Sequence, residues 1–127
     1  MERAASRRAW GAVAVWWLAM LLVTSVPGDM VPALPDLGFR IDRVVHFGMY
    51  AVQGVLIARA LGRRAPTALL LAWLVLSVVG ALDEVHQMWL PGREAEVGDW
   101  MMDALGAGTG LAAATLAMRT RLASWLA

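Results

Sequence analysis

The sequence predicts an all-α polytopic membrane protein with four transmembrane helices, and three observations carry this prediction. Of the 127 residues 60% are hydrophobic and 17% are charged, whereas roughly 45 to 50% apolar residues is usual for soluble domains. Four long apolar stretches, at about residues 9–26, 42–61, 67–89 and 98–118, alternate with short polar ones. Most arginines lie before the first stretch, between the second and the third, or after the fourth. At this length we expect a single membrane domain spanning residues 1–127.

The first apolar stretch follows a basic start. Arg7 and Arg8 precede an uncharged run of 18 residues, 9–26, which is roughly 27 Å long as a helix and long enough to cross a bilayer. A cleaved signal peptide also begins with basic residues, but its apolar region is usually about 7 to 15 residues and ends at a small-residue cleavage site. The sequence around Ser25 and Pro27 contains no such site. We therefore predict a transmembrane helix.

The second stretch opens with polar residues at helical spacing. Asp42, His46 and Tyr50 stand four residues apart, so they lie along one side of a helix over its first turns. Their polar ends can then face the same neighbour. A histidine that shares a helix face with a carboxylate is a candidate base or metal ligand, although a lone histidine is more often a packed core residue.

The third stretch ends in a polar group. Asp83, Glu84 and Gln87 fall in its last turns at spacings of three and four, so both acids can project to a similar side. Pro91 and Gly92 then turn the chain, and Arg93 follows in a polar loop. We expect Arg93 to neutralise part of the acidic group or to hold an anionic ligand.

The last stretch begins with Asp99 and Asp103 and continues, at the same four-residue spacing, to Gly106 and Gly110. Carboxylates near a helix N-terminus are favoured by the helix dipole. Glycines at this spacing allow another helix backbone to approach closely. The fourth helix is therefore predicted to be a central packing helix.

The arginines also predict the orientation. Of the 11 basic residues, eight lie on one side of the four stretches; they are Arg3, Arg7, Arg8, Arg59, Arg63, Arg64, Arg119 and Arg121. Loops rich in Arg and Lys face the cytoplasm. Both termini are then cytoplasmic, and the polar ends of the second, third and fourth helices face outward.

These motifs resemble the VanZ-like family of membrane proteins, which is named for a determinant of teicoplanin resistance. The resemblance rests on the Asp42-Arg43-x-x-His46 pattern, on Asp83-Glu84-x-x-Gln87, and on Arg93 followed by Asp99, Asp103 and Gly106. It covers about residues 36–115. Arg43 stands where the family usually has Lys, and Asp103 where it commonly has Asn. The resemblance implies an integral protein of the bacterial inner membrane with a role in glycopeptide resistance or envelope physiology, without a mechanism.

The function hypotheses differ in what the polar residues do. The plainest is a polar lock between helices, since polar side chains hydrogen-bond across membrane helices. Adjacent acids are costly within a membrane and by default indicate a functional site. We favour a non-enzymatic protein whose outward-facing polar pocket binds an amphiphile or lipid headgroup. The pocket comprises Asp42, His46, Tyr50, Asp83, Glu84, Gln87, Arg93, Asp99 and Asp103.

Two other classes of function stay open at this stage. One is a small membrane hydrolase or transferase acting on an envelope lipid, with His46 as base. The other is a small proton-linked permease, which would require a homo-oligomer built through Gly106 and Gly110 because four helices leave little room for alternating access. We predict no metal and no cofactor, because the spacing of the acids and His46 matches no established site. Membrane lipids are the expected partners, and a net charge of +1 gives no support for nucleic acid.

Overall fold

The computed structural model describes residues 2–32, 35, 38–62 and 66–126, with side chains described between residues 7 and 120 of those ranges. These residues form four α-helices and one short 3-10 turn, and no strand occurs among them. The helices are α1 (Glu2–Thr24), α2 (Ile41–Leu61), α3 (Pro66–Gln87) and α4 (Val97–Leu126). The all-α prediction is confirmed. Arg63 and Arg64, on which the predicted orientation partly rests, lie outside the described residues, as does the beginning of the family-like core at residue 36.

Three helices are long and apolar enough to cross a membrane: Ile41–Leu61, Pro66–Gln87 and Val97–Thr120. The α1 helix is not among them. It ends at Thr24, two residues before the predicted end, and its first turns carry Arg3, Arg7 and Arg8, which lower its mean hydropathy. Many large apolar side chains of the bundle face outward, and Leu71, Val78 and Leu82 are each about 60% exposed. Such an apolar outer surface is typical of a protein surrounded by lipid.

The closest packing is between α2 and α4, and glycines make it possible. A Cβ atom at Gly106 would overlap the backbone carbonyl of Phe47, and a Cβ atom at Gly110 would overlap that of Ala51. From the other side, a Cβ atom at Gly54 would overlap the carbonyl of Ala107. The glycine stripe of α4 is thus filled by α2 of the same chain, as small residues allow between membrane helices. These contacts place Gly106 and Gly110 of α4 directly against the backbone of α2.

The other two helices attach to this pair through indole hydrogen bonds. On α3, Trp73 Nε1 donates to the carbonyl of Ala104 at 2.8 Å, and from α4 Trp100 Nε1 donates to the carbonyl of Ser77 at 2.9 Å. On α1, Trp16 Nε1 donates to the carbonyl of Met49 at 3.0 Å. These bonds join α3 to α4 and α1 to α2. Each of these three indole N–H groups therefore has an acceptor, which matters where water is absent.

The core is small because most apolar residues face outward. Its buried apolar members come from all four helices and are Val13, Met20, Tyr50, Ile57, Ala58, Leu76, Ala107, Leu111 and Ala114. Together with the buried Gln53 they fill the bundle on the side of His46 away from the start of α2. At the level of His46 the interior becomes polar.

Candidate functional site

Six polar side chains from α2, α3 and α4 are buried at one end of the bundle. They are His46, Asp83, Glu84, Gln87, Asp99 and Asp103, and each is at most 9% exposed. The first turns of α2 and α4 supply His46, Asp99 and Asp103, and the last turns of α3 supply the others. The structure thus brings together six of the nine residues that the sequence assigned to a pocket. We call these six the buried polar cluster.

His46 and Asp103 form the centre of the buried polar cluster. His46 Nδ1 lies 2.9 Å from Asp103 Oδ1 and 3.9 Å from Glu84 Oε1. Asp103 is fully buried, and its Oδ2 has no hydrogen-bond partner. The carboxylate that orients the imidazole is therefore Asp103 on α4, and not Asp42 on its own helix as the sequence suggested. An imidazole held by a carboxylate can act as a base or as a metal ligand.

Asp42 lies at the rim and not in the cluster. Its carboxylate accepts hydrogen bonds from Arg40, whose guanidinium also donates to Glu96 at 2.7 Å. The Arg40 guanidinium holds the pKa of Glu96 below its ordinary value, because the hydrogen bond and the positive charge favour the ionised carboxylate. Arg43 reaches the other oxygen of Glu96 at 3.5 Å and Asp99 at 3.6 Å. This ion-pair network closes the outer end of the buried polar cluster.

The adjacent acids Asp83 and Glu84 face different neighbours, which corrects the expectation that they project to a similar side. Asp83 Oδ1 accepts a hydrogen bond of 2.9 Å from Thr24 Oγ1 at the end of α1. Glu84 Oε2 accepts one of 2.8 Å from the backbone N–H of Glu96. Asp83 therefore joins α3 to α1, and Glu84 joins α3 to the loop before α4.

Arg93 belongs to a junction between the loop after α1 and the loop between α3 and α4. Its Nε donates to the carbonyl of Val26 at 3.0 Å, just beyond the end of α1. Beside it, the N–H of Gly28 donates to the carbonyl of Pro91 at 2.8 Å, and a Cβ atom at Gly28 would overlap the carbonyl of Gly92. Gly92 itself has φ of 69°, the left-handed region that favours glycine. Arg93 thus holds the two loops together and lies outside the buried polar cluster.

A cavity of about 310 Å³ lies between α1, α2 and α3. Apolar side chains form most of its wall, and Asp83, His86, Ser25 and Tyr50 supply its polar groups. His86 Nδ1 is 4.0 Å from Asp83 Oδ1. The cavity is the place where the polar end of the bundle meets an apolar space.

Two further residues belong to the polar interior and were not predicted. Thr24 is 3% exposed and bonds Asp83. Gln53 is 1% exposed, and neither its Nε2 nor its Oε1 has a hydrogen-bond partner. Gln53 follows His46 by seven residues and Tyr50 by three, so the helical stripe that singled out those two could also have included it. Thr24 carried no such signal, because a threonine at the end of an apolar run is ordinary.

The fold and site define a class of protein: a small helical bundle with three helices of membrane-spanning length, closed around an internal group of acids and one histidine. The family model described as VanZ/LLP1 matches residues 7–118, and the chain belongs to that family. The comparison with curated proteins and the comparison with solved structures gave no match. The predicted VanZ-like resemblance is confirmed, and the match begins in α1, well before the core expected at about residues 36–115.

Proposed function

We propose that the protein is a non-enzymatic VanZ-like protein, with residues 1–127 as one domain, that lowers sensitivity to lipoglycopeptides such as teicoplanin. It does so by binding an amphiphile or lipid headgroup of the cell envelope in the cavity beside Asp83. One observation carries this proposal. The 310 Å³ cavity combines a mostly apolar wall with a carboxylate at one end.

The two parts of the cavity wall select complementary parts of a ligand. Trp17, Met20, Leu21, Val79 and Leu82 supply apolar surface for an acyl or other hydrocarbon group. Asp83 offers acceptors for an amine or hydroxyl group, with Thr24 holding its carboxylate in place. Ligand sites generally combine an apolar lining with a few placed polar groups in this way. Arg93, which was expected to hold an anionic group, is engaged with Val26 and has no part in this proposal.

Drug susceptibility tests the proposal directly. In a Gram-positive host we expect the wild type to lower susceptibility to teicoplanin but not to vancomycin, and Asp83→Asn to return it to the level of the host alone. The amide keeps an oxygen for Thr24 but removes the charge that attracts an amine. Asp29→Asn, in the exposed turn of the first outer loop, is the matched control and should behave as the wild type.

Membrane amounts must be compared by immunoblot, since a variant that is absent from the membrane says nothing about binding. Equal amounts of wild type and Asp83→Asn with equal teicoplanin susceptibility would contradict the role of Asp83. If the wild type changes neither drug, the proposed function itself fails.

The proposed orientation has all four helices crossing the inner membrane and both termini in the cytoplasm. In support, Thr24 at the end of α1 contacts Asp83 near the end of α3, and His46 near the start of α2 contacts Asp103 near the start of α4. The ends of α1 and α3 therefore lie together, as do the starts of α2 and α4, which is the arrangement expected when consecutive helices cross a membrane in alternating directions. The buried polar cluster then lies toward the outer face, and membrane lipids surround the bundle.

Cysteine labelling measures this orientation. The sequence contains no cysteine, so each introduced thiol reports on its own position. We expect Glu94→Cys to react with a membrane-impermeant maleimide added to intact cells, and Arg63→Cys to react only after the membrane is opened. The reverse pattern would place the cluster on the cytoplasmic side and exclude a ligand from the outer leaflet.

A further inference from the structure

The buried polar cluster holds carboxylate oxygens that the fold leaves unused. Glu84 Oε1, Asp99 Oδ1 and Asp103 Oδ2 have no hydrogen-bond partner. The residues that carry them are 5%, 7% and 0% exposed, respectively. An unpaired carboxylate oxygen is costly away from water, and buried acids normally have a cation or a metal as partner. Among the described residues Arg43 lies 3.6 Å from Asp99 Oδ1, but no guanidinium is within ion-pair distance of Glu84 or Asp103.

Three residues of the buried polar cluster converge. His46, Glu84 and Asp99 each offer one ligand atom, and these atoms lie within 4.8 Å of one another. Two ligands that bind one ion at roughly 2.1 Å can be no more than about 4.2 Å apart. Rotation of the two carboxylates would bring the atoms into that range, and it would exchange the bond of Glu84 Oε2 with the Glu96 N–H and the ion pair of Asp99 with Arg43 for bonds to the ion.

A second acidic group at the rim provides a contrast. Asp42, Glu96 and Asp99 also converge, but Arg40 already bonds both Asp42 and Glu96. Arg40 thus already supplies a positive charge to the acids at the rim. In the interior, the nearest guanidinium is that of Arg43, which lies 3.6 Å from Asp99 Oδ1, is 41% exposed and also reaches Glu96. Arg43 can therefore remain with Glu96 while Asp99 turns inward.

We propose that His46, Glu84 and Asp99 bind one divalent first-row metal ion, such as Mn²⁺ or Zn²⁺, inside the bundle. The donor set decides the class, because carboxylates suit Mn²⁺ and Zn²⁺ and an imidazole adds affinity for first-row transition metals over Ca²⁺ or Mg²⁺. The bond between His46 Nδ1 and Asp103 fixes the imidazole and leaves Nε2 to bind the ion, as carboxylates do for metal-binding histidines elsewhere. The ion offsets two negative charges and binds carboxylates whose inner oxygens have no hydrogen bond. This site is separate from the cavity beside Asp83 and does not depend on the proposed function.

Metal content of the purified full-length chain tests the proposal. The protein in detergent is stripped with a chelator, dialysed against Mn²⁺ or Zn²⁺, and analysed by mass spectrometry of the metal. We expect about one ion per chain for the wild type with at least one of the two metals. Glu84→Gln and Asp99→Asn should each weaken binding by at least about tenfold. Glu94→Gln, in the exposed outer loop, is the matched control and should bind as the wild type.

A spectroscopic reading on the wild type keeps the test decisive even if the variants fail to fold. Pulsed electron paramagnetic resonance of the Mn²⁺-loaded wild type should detect coupling to a ¹⁴N nucleus, and His46→Gln should remove that coupling. Three results would overturn the proposal: metal far below one ion per chain with both ions, equal weakening by Glu94→Gln and Glu84→Gln, or bound Mn²⁺ without nitrogen coupling. The last two would indicate adventitious binding to surface carboxylates.

Discussion

Replacing Gly106 and Gly110 together by alanine is expected to force α2 and α4 apart and to leave little folded protein. Each new methyl group would overlap a backbone carbonyl of α2, at Phe47 and at Ala51. Backbone atoms of a packed helix cannot move aside as the end of a side chain can. Overpacking a core usually costs about 1 to 3 kcal/mol per site, and here two such costs fall on the same interface.

Unfolding measured by tryptophan fluorescence during titration with a denaturing detergent would show the loss. Gly48→Ala is the matched control, because Gly48 also lies in the α2 helix but a Cβ atom there has nothing within 4 Å. That variant should be as stable as the wild type, or up to about 1 kcal/mol more stable from helix propensity. If the double variant were as stable as Gly48→Ala, the close approach of α2 and α4 would be wrong.

Asp103→Leu is expected to cause the largest loss of stability among single changes in the buried polar cluster. It removes the group that contacts His46 at 2.9 Å and leaves a buried imidazole without its partner. Removing one member of a buried pair typically costs about 3 to 5 kcal/mol, whereas replacing both members by apolar residues costs much less. The double variant His46→Leu with Asp103→Leu should therefore be less destabilised than the sum of the two single variants.

A double-mutant cycle measures this coupling from the unfolding free energies of the four proteins. We expect a coupling of at least about 1 kcal/mol, within the range for residues in direct contact. Asp42→Leu with His46→Leu is the comparison cycle, since Asp42 contacts Arg40 at the rim. Coupling of His46 to Asp42 but not to Asp103 would restore the partner that the sequence suggested and contradict the structure.

The helices could be predicted from the sequence because their signals are local. Apolar stretches interrupted by Pro27, Gly62 and Pro91 place the four helices to within a few residues at most ends. The largest differences are at the N-terminus of α1, which begins in the basic segment, and at the C-terminus of α4, which continues to Leu126. Neither segment contains a proline or another strong helix breaker, and arginine and alanine are good helix formers. The composition that ended the predicted apolar stretches therefore did not end the helices.

The partners within the site could not be predicted, because they depend on how the helices are rotated and aligned along one another. Spacing within α2 grouped Asp42 with His46, yet the contact of His46 is with Asp103, 57 residues away. Spacing within α3 grouped Asp83 with Glu84, but adjacent residues on a helix point about 100° apart. One therefore faces α1 and the other the loop before α4. Arg93 was assigned to the pocket because of its charge. Its bond to the backbone carbonyl of Val26 could not be predicted from the pattern of charged residues.

The long sequence separations of the polar contacts have a consequence for biosynthesis. Asp83 and Thr24 are 59 residues apart, and His46 and Asp103 are 57 apart. While α3 emerges from the ribosome, Asp83 can already meet Thr24, but the N–H that binds Glu84 Oε2 is made only with Glu96. Because an acid without its hydrogen bonds is costly within the bilayer, we expect α3 to stay in the insertion machinery until α4 follows. The two helices would then enter the membrane as a hairpin.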